Sequence, residues 1–387
     1  MTSELLRALK VGIAEILPQA AALRRTLHAQ PRLSGQETDT RDTMTRSLDW
    51  LGWTPIAATG AWSRTGPDGP AVGLRAELDA LPVSEVTAVE WESRVPGVMH
   101  ACGHDVHMAA LWAFLNAARG LDLPAAVVPI LQPREEVTPP GAGDVVSSGL
   151  LEEQEIEAMI GVHVQPGIEA GIVSTGAGAV NAAYDSFEIV VSGSPAHGAY
   201  PHLAVDPITA LAAIIGEVSS LPGRLINPLH ATVVSFGQIS GGTAPNVIPD
   251  TARCRGTIRA FHQSDRELLH GAIARTAEGV AAGRGATATT RFVTGGPALV
   301  NDPGLVRRAD HHLSGLGVTV AETPFRSCGS DDFAEYGTAT ASLMCFVGTG
   351  RINGVGLHHG AYLPGRDAIE LAAVAFAGGY AAAVDAL

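Results

Sequence analysis

Cys102, His104, Asp105 and His107 fall within one short stretch, MHACGHDVHMAA, immediately before a predicted helix. A thiolate and an imidazole two residues apart in a loop can turn toward the same cation. Cysteine together with histidine favours zinc or a similar borderline-soft metal. Each of these residues alone reads better as a buried, hydrogen-bonded core side chain, and it is their density that points to a site.

Further candidate ligands stand where predicted strands end. Glu135 and Glu136 follow VVPILQPR, His163 closes MIGVH, and His358 and His359 follow SLMCFVG after a short loop. Open α/β sheets place their sites at the carboxyl ends of strands. Two adjacent carboxylates are costly to hold in such a cleft unless cations offset their charge, the alternative being a solvated acidic turn. Asp79, at the end of LRAELDA, reads either as a hydrogen-bond partner of a ligand histidine or as a turn or helix-capping residue.

Composition narrows the chemistry. The 387 residues carry a formal charge of -14, with 25 Lys+Arg against 39 Asp+Glu and no basic run. Nucleic acid and an anionic membrane surface are therefore poor partners. Lys10 is the only lysine, so the chain has no GxxxxGK phosphate loop and no Schiff-base lysine other than that one. No GxSxG elbow is present, and TGAGAV lacks the third glycine of a dinucleotide fingerprint. The 4 cysteines are too few for a disulfide framework, and Cys254 and Cys345 read as strand core. The N-terminal segment reads as an amphipathic helix without the separate basic and apolar regions of a signal peptide. The apolar run Leu371 to Val384 is shorter than the ~18 residues of a membrane span and reads as a closing core helix. A cytoplasmic protein is the expectation.

The elements that must position these residues follow an alternating pattern. AVGLRAELDA, AAVVPILQP, AMIGVHV and SLMCFVG read as strands, and MAALWAFLNAARG as a helix closed by Gly120. Strands alternating with helices predict a mostly parallel sheet flanked by helices. In the middle of the chain, DSFEIVVSG, DPITALAAIIGEVSSL, ATVVSFGQIS, TARCRGTIRAF, SDRELLHGAIARTAEGVAAG and TATTRFVTGG read as βαββαβ, a ferredoxin-like unit. Ser264 is its predicted second-helix N-cap. The expectation is an α/β catalytic domain over 1–180 and 293–387, interrupted by an inserted lid and dimerisation domain over 181–292.

The ordered blocks LRRTLHAQPRLSGQE, LRAELDALPVSE, MHACGHDVHMAA, QPREE, GVHVQPG, AHGAYPHLAVDPI, GGTAPNVIPDTARCRGTIRAF, GSDDFAEY and GLHHGAYLP span nearly the whole chain. In these blocks it resembles the metal-dependent amidohydrolases that include aminoacylases, carboxypeptidase G, hippurate hydrolases and plant indoleacetyl-amino-acid hydrolases, in the branch with a Cys-Gly-His-Asp signature. The resemblance implies two divalent metal ions, zinc or manganese with cobalt or nickel as further candidates. They would be held by Cys102, His104, Glu136, His163 and His358, with Cys102 bridging. It implies Glu135 as general base and His107 and Asp105, beside Asp79, as supports behind the ligands. His197, Asn246 and Arg259 match positions that hold the substrate's carbonyl and carboxylate. Alignment favours His358 over His359 as the last ligand, although Gly360 stands where the family has proline.

The activity implied is hydrolysis of the amide of an N-acyl amino acid or related small amide. Carboxypeptidase action on dipeptides or aminoacyl-aromatic substrates is the alternative on the same site. A homodimer or dimer of dimers through the lid is the implied assembly. The chain departs from the family at Gln30 and Arg32, at Val106 in place of glycine, and at Asp331, before Asp332 and Phe333, in place of glutamate. Two readings of other classes compete with this one, a cysteine hydrolase with Cys102 as nucleophile and a catalytically inactive metal-binding or scaffold homologue. A nucleophilic Cys102 predicts thiol-reagent inactivation without chelator sensitivity, and an inactive homologue predicts lost ligands.

Overall fold

A computed structural model describes residues 3–351 and 354–387. The chain begins with helix α1 (Ser3–Ala29), which buries Leu6, Leu9, Ile13 and Leu17 at helical spacing. Strand β1 (Ala71–Glu77), helix α2 (His104–Ala118) and strands β2 (Ala126–Gln132) and β3 (Ile156–Gln165) follow. Next come β4 (Ala183–Ser192), α3 (Pro207–Ser220), β5 (Thr232–Gly241), β6 (Thr251–Ala260), α4 (Gln263–Ala282) and β7 (Thr287–Thr294). The chain closes with α5 (Pro303–Gly315), β8 (Ala341–Gly348) and α6 (Asp367–Val384).

These elements form two compact units. The first holds residues through Gly178 together with Val300–Phe325 and Asp332–Leu387, and the second holds Ala179–Leu299 with Arg326–Asp331. The short segment Arg326–Asp331 thus joins the second unit from far along the chain, which no local pattern announces.

In the first unit the central strands run β2-β1-β3-β8, all parallel. Short strands Thr54–Ile56 and Gly60–Trp62 extend one side, and Ile172–Ser174 and Thr319–Val320 the other. The apolar runs of β1 and β2 are buried along their whole length, as parallel strands covered on both faces require. Helices α1, α2 and α6 share one core with the sheet, built on residues such as Leu9, Phe114, Ile160 and Phe376. By length and hydropathy α6 could cross a membrane, but most of it is buried in this core. All the central strands point their carboxyl ends to one edge of the sheet, and the chemistry-bearing residues gather there.

The second unit is a sheet in the order β5-β6-β4-β7, antiparallel throughout. With α3 and α4 this is the ferredoxin-like arrangement. Alternate residues of β6, among them Cys254 and Ile258, pack with Ile214, Leu269 and Ile273 of the helices. Asp206 caps α3, its carboxylate accepting from the Ile208 amide at 2.9 Å. Ser264 is not the cap of α4: the N-cap position is His262, which makes no side-chain cap bond, and Ser264 lies in the first turn.

Candidate metal centre

The centre is assembled in the first unit from loops that leave the sheet. Gly103 turns the chain into α2 with φ 90°, and a Cβ there would stand 2.4 Å from the Val164 side chain. Only glycine fits this approach. The turn sets Cys102 and His104 against the end of β3, where Cys102 Sγ lies 3.5 Å from His163 Nε2. The amide of His358 donates to the Ala101 carbonyl at 2.9 Å, tying the distant 358 loop to the same turn. His358 itself has φ 64°, a backbone region that few residues with a Cβ adopt.

Among the donor groups of the described residues, two that share a cysteine bear on the expected site. Cys102, His104 and His163 each offer an atom within 4.8 Å of the others, and so do Cys102, Glu136 and His358. Cys102 belongs to both. His104 donates from Nδ1 to the Asp79 carbonyl at 2.9 Å, and His163 from Nδ1 to the Val164 carbonyl at 2.7 Å. Each hydrogen bond leaves Nε2 as the ring nitrogen that could ligate an ion. Buried His104 Nε2 and Glu136 Oε1 have no hydrogen-bond partner among the described residues, an arrangement that suits metal donors. Glu136 Oε1 faces His358 Nε2 at 3.3 Å, while His359 Nδ1 accepts the Ala361 amide at 3.1 Å within its own loop. Glu135 stands beside this group, its Oε2 3.8 Å from His104 Nε2.

The electrostatics agree with a cation site. Burial pushes the Cys102 thiol well above its ordinary value, and nearby Glu136 pushes the same way, so a thiolate there calls for a cation beside it. Burial opposes the charge of Glu136, but the facing His358 and His104 outweigh it and lower its pKa. Burial likewise opposes protonation of His104, and Glu77 and Asp79 reverse that effect to raise it well above the ordinary histidine value. The donor set of one thiolate, imidazoles and a carboxylate fits zinc-like ions.

The supporting residues are only partly those expected. Asp79 holds His104 chiefly through its backbone carbonyl, while its Oδ2 accepts from Ser34 Oγ at 2.7 Å and the Glu136 amide at 3.0 Å. His107 donates to Glu77 Oε2 at 3.0 Å and accepts the Val164 amide at 2.9 Å. Both its nitrogens are occupied, so it is no ligand. Asp105 turns away from the donors and pairs with Arg24 at 2.8 Å and His28 at 2.9 Å. Sequence reasoning missed Arg75, Glu77, Gln132 and Asp332, a fully buried or nearly buried network behind the centre. Arg75 pairs with Glu77 and, at 2.7 Å, with Asp332, and Gln132 accepts from Arg75 at 2.9 Å. A signal existed: Arg75 and Glu77 lie two apart on one face of an otherwise apolar strand, and buried charges need partners.

The candidate substrate residues lie in the second unit. His197, exposed, sits on a short strand paired with Val247, and the Gly198 amide donates to the Asn246 carbonyl at 2.8 Å, so His197 and Asn246 are neighbours. Arg259 is elsewhere. It pairs with Val233 at the start of β5, whereas Asn246 follows Gly241, which pairs with Ala252 at the other end of the same ladder. Seven strand residues separate the two ends, about 23 Å. The expectation that one antiparallel pairing would aim Asn246 and Arg259 at one cleft is therefore overturned. The Arg259 guanidinium lies 5.4 Å from the Tyr184 ring centroid and donates to Ser330 Oγ at 3.1 Å.

Comparison with known proteins gives the same direction. Residues 73–378 match Peptidase family M20/M25/M40. The chain is 35% identical over 364 residues to N-acetylcysteine deacetylase of Bacillus subtilis, covering 92% of this chain and 94% of that one. It is 32% identical to thermostable carboxypeptidase 2 of Saccharolobus solfataricus, over 89% and 90% of the two chains. A crystal structure of a dinuclear metal-binding M20 peptidase from Bacillus subtilis superposes with a TM-score of 0.85 at 32% identity, over 97% of this chain and 99% of that one. This chain is a metal-dependent hydrolase of amide bonds and belongs to Peptidase family M20/M25/M40.

Proposed function

We propose that the protein hydrolyses N-acyl amino acids or closely related small amides at a two-metal centre. The observation that carries the reading is the pair of donor groups sharing Cys102, with Glu135 at their side. In this reading Cys102, His104 and His163 hold one ion, and Cys102, Glu136 and His358 the other. Bound divalent ions supply an acidified water and a Lewis acid for the amide carbonyl. Glu135 takes the proton of the attacking water and returns it to the departing amine. His107 and Asp79 keep the ligand histidines and Glu136 in place. A nucleophilic role for Cys102 is disfavoured, because reactive thiols are accessible with a lowered pKa, and Cys102 is buried with a raised one.

His197 and Asn246 in this reading meet the substrate carbonyl, and Arg259 clamps its carboxylate through a bidentate contact. The two groups sit at opposite ends of the β5–β6 ladder, farther apart than a small N-acyl amino acid is long. One substrate can meet both only if two copies of the chain each contribute one of them. This favours a homodimer, with the second unit as lid and interface. The name of the deacetylase relative supports short acyl groups on an amino acid, while the carboxypeptidase relatives keep dipeptides as the second substrate class.

The test is a screen over N-acetyl, N-benzoyl and longer N-acyl amino acids and dipeptides, with manganese, zinc, cobalt or nickel added back after exhaustive chelation. Metal-restored release of free amino acid is expected. Full turnover by protein shown metal-free by elemental analysis would overturn the reading.

A further inference from the structure

A further cluster of side chains with metal-donor atoms lies in the second unit, where the reading of the first unit gives it no role. Beyond the last pair of the β5–β6 ladder, Thr232↔Ala260, continuing the antiparallel register sets His230 opposite His262. Their rings do meet, with centroids 4.0 Å apart. Asp265, in the first turn of α4 and buried, accepts from His230 Nδ1 at 2.7 Å. The three residues each present a donor atom within 4.8 Å of the others. His262 is exposed and His230 partly so, leaving the rings open to an incoming ion.

We propose that His230, His262 and Asp265 form a separate binding site for a divalent ion of borderline softness, with zinc as the best match and copper(II) or nickel as competitors. Two imidazoles and a carboxylate are the donor set such ions take in preference to magnesium or calcium. With metal–nitrogen and metal–oxygen bonds near 2.0–2.1 Å, donors on a tetrahedral ion stand roughly 3.3 Å apart. The His230–Asp265 contact opens by about half an ångström to admit the ion, which takes the place of the proton they share. Water fills the fourth position. The bound ion fastens the end of edge strand β5 to the first turn of α4, and so stabilises the second unit.

The experiment uses the full-length chain and zinc itself. Wild type, His262→Ala and His230→Gln are equilibrated with zinc by dialysis and the bound ion is counted by elemental analysis. Each variant should hold one zinc fewer than wild type and show a smaller zinc-induced rise in unfolding temperature, the remainder coming from the centre of the first unit. Repeating the pair in a Cys102→Ser background separates this site from the centre of the first unit, because the difference of one ion must persist there. Circular dichroism checks that the variants are folded. An unchanged count in folded variants overturns the proposal. So does an equal loss on His311→Ala, which would mark non-specific binding by surface histidines.

Discussion

The His107 ring accepts the Val164 amide at 2.9 Å while donating to Glu77 at 3.0 Å, which fixes the helix that carries His104 against the strand that carries His163. The two elements that carry these candidate donors are thereby held in register by one imidazole and a buried carboxylate. Glu77 in turn is held well below the carboxylate range, Arg75 and His107 overcoming a burial that works the other way. Glu77→Gln removes the charge and leaves Arg75 with one partner fewer. Metal affinity should fall by about 10–100-fold. Folding stability should fall by about 3–5 kcal/mol, as when a buried pair loses one member. Zinc titration and denaturant unfolding check both effects, and a variant unchanged in both would mean that the network is incidental.

The adjacent carboxylates should divide the labour. Glu135→Gln is expected to keep its metal while kcat falls by ~10² or more. Glu136→Gln should instead bind metal weakly. Elemental analysis beside steady-state rates distinguishes the two, and equal loss of activity with full metal in both would refute the assignment.

Because Cys102 belongs to both donor groups, Cys102→Ser should weaken both sites together, unlike His163→Ala or His358→Ala, which each strip one group. The measurement is the metal content of each purified variant at limiting metal. Loss of a single ion from Cys102→Ser, with the other bound as in wild type, would show that the thiolate is not shared.

Arg259→Ala should cost about 2–5 kcal/mol in kcat/KM on an N-acyl amino acid if the guanidinium pairs with the substrate carboxylate. The penalty should nearly vanish on the corresponding amino-acid amide, which lacks that charge. Equal proportional losses on the two substrates would instead assign Arg259 to packing against Tyr184 and Ser330.

His28 supplies a pH test of stability away from the ligands. Burial disfavours its charge, but Asp105 and Glu85 overcome this and raise its pKa from 6.5 to about 9. The charged form is the one the fold prefers. Its contribution is fully present below about pH 6.5 and is lost as pH rises through about 9, a change on the order of 3 kcal/mol. His28→Gln should flatten the fall in urea midpoint between about pH 6 and about pH 10, and an unaltered slope would place its origin elsewhere.

Much of this architecture is written locally. Apolar runs such as AVVPILQ and the two-residue alternation of TARCRGTIRA announce their strands, because burial acts on neighbouring residues. The dense cluster from Cys102 to His107 likewise announces a site. What stays hidden depends on tertiary placement. The motif resemblance already sets His107 behind His104, but that its partners are the Val164 amide and Glu77 is visible only in the fold. Asn246 and Arg259 look like neighbours in a hairpin, yet the ladder sets them at opposite ends. Strands as short as Gly60–Trp62 carry too few residues for any period to show.

The core of the first unit is closed by α6, which follows the whole second unit in the chain. During synthesis, then, β1, β2 and α2 emerge from the ribosome long before the surface that covers them. The second unit, made of consecutive segments but for Arg326–Asp331, has most of its contacts in hand sooner. Contacts so distant along the chain close slowly, and the waiting apolar strands are the stage most exposed to aggregation and to chaperones. A nascent chain stalled before Asp367 should be protease-sensitive across residues 71–165 while β4–β7 are already protected.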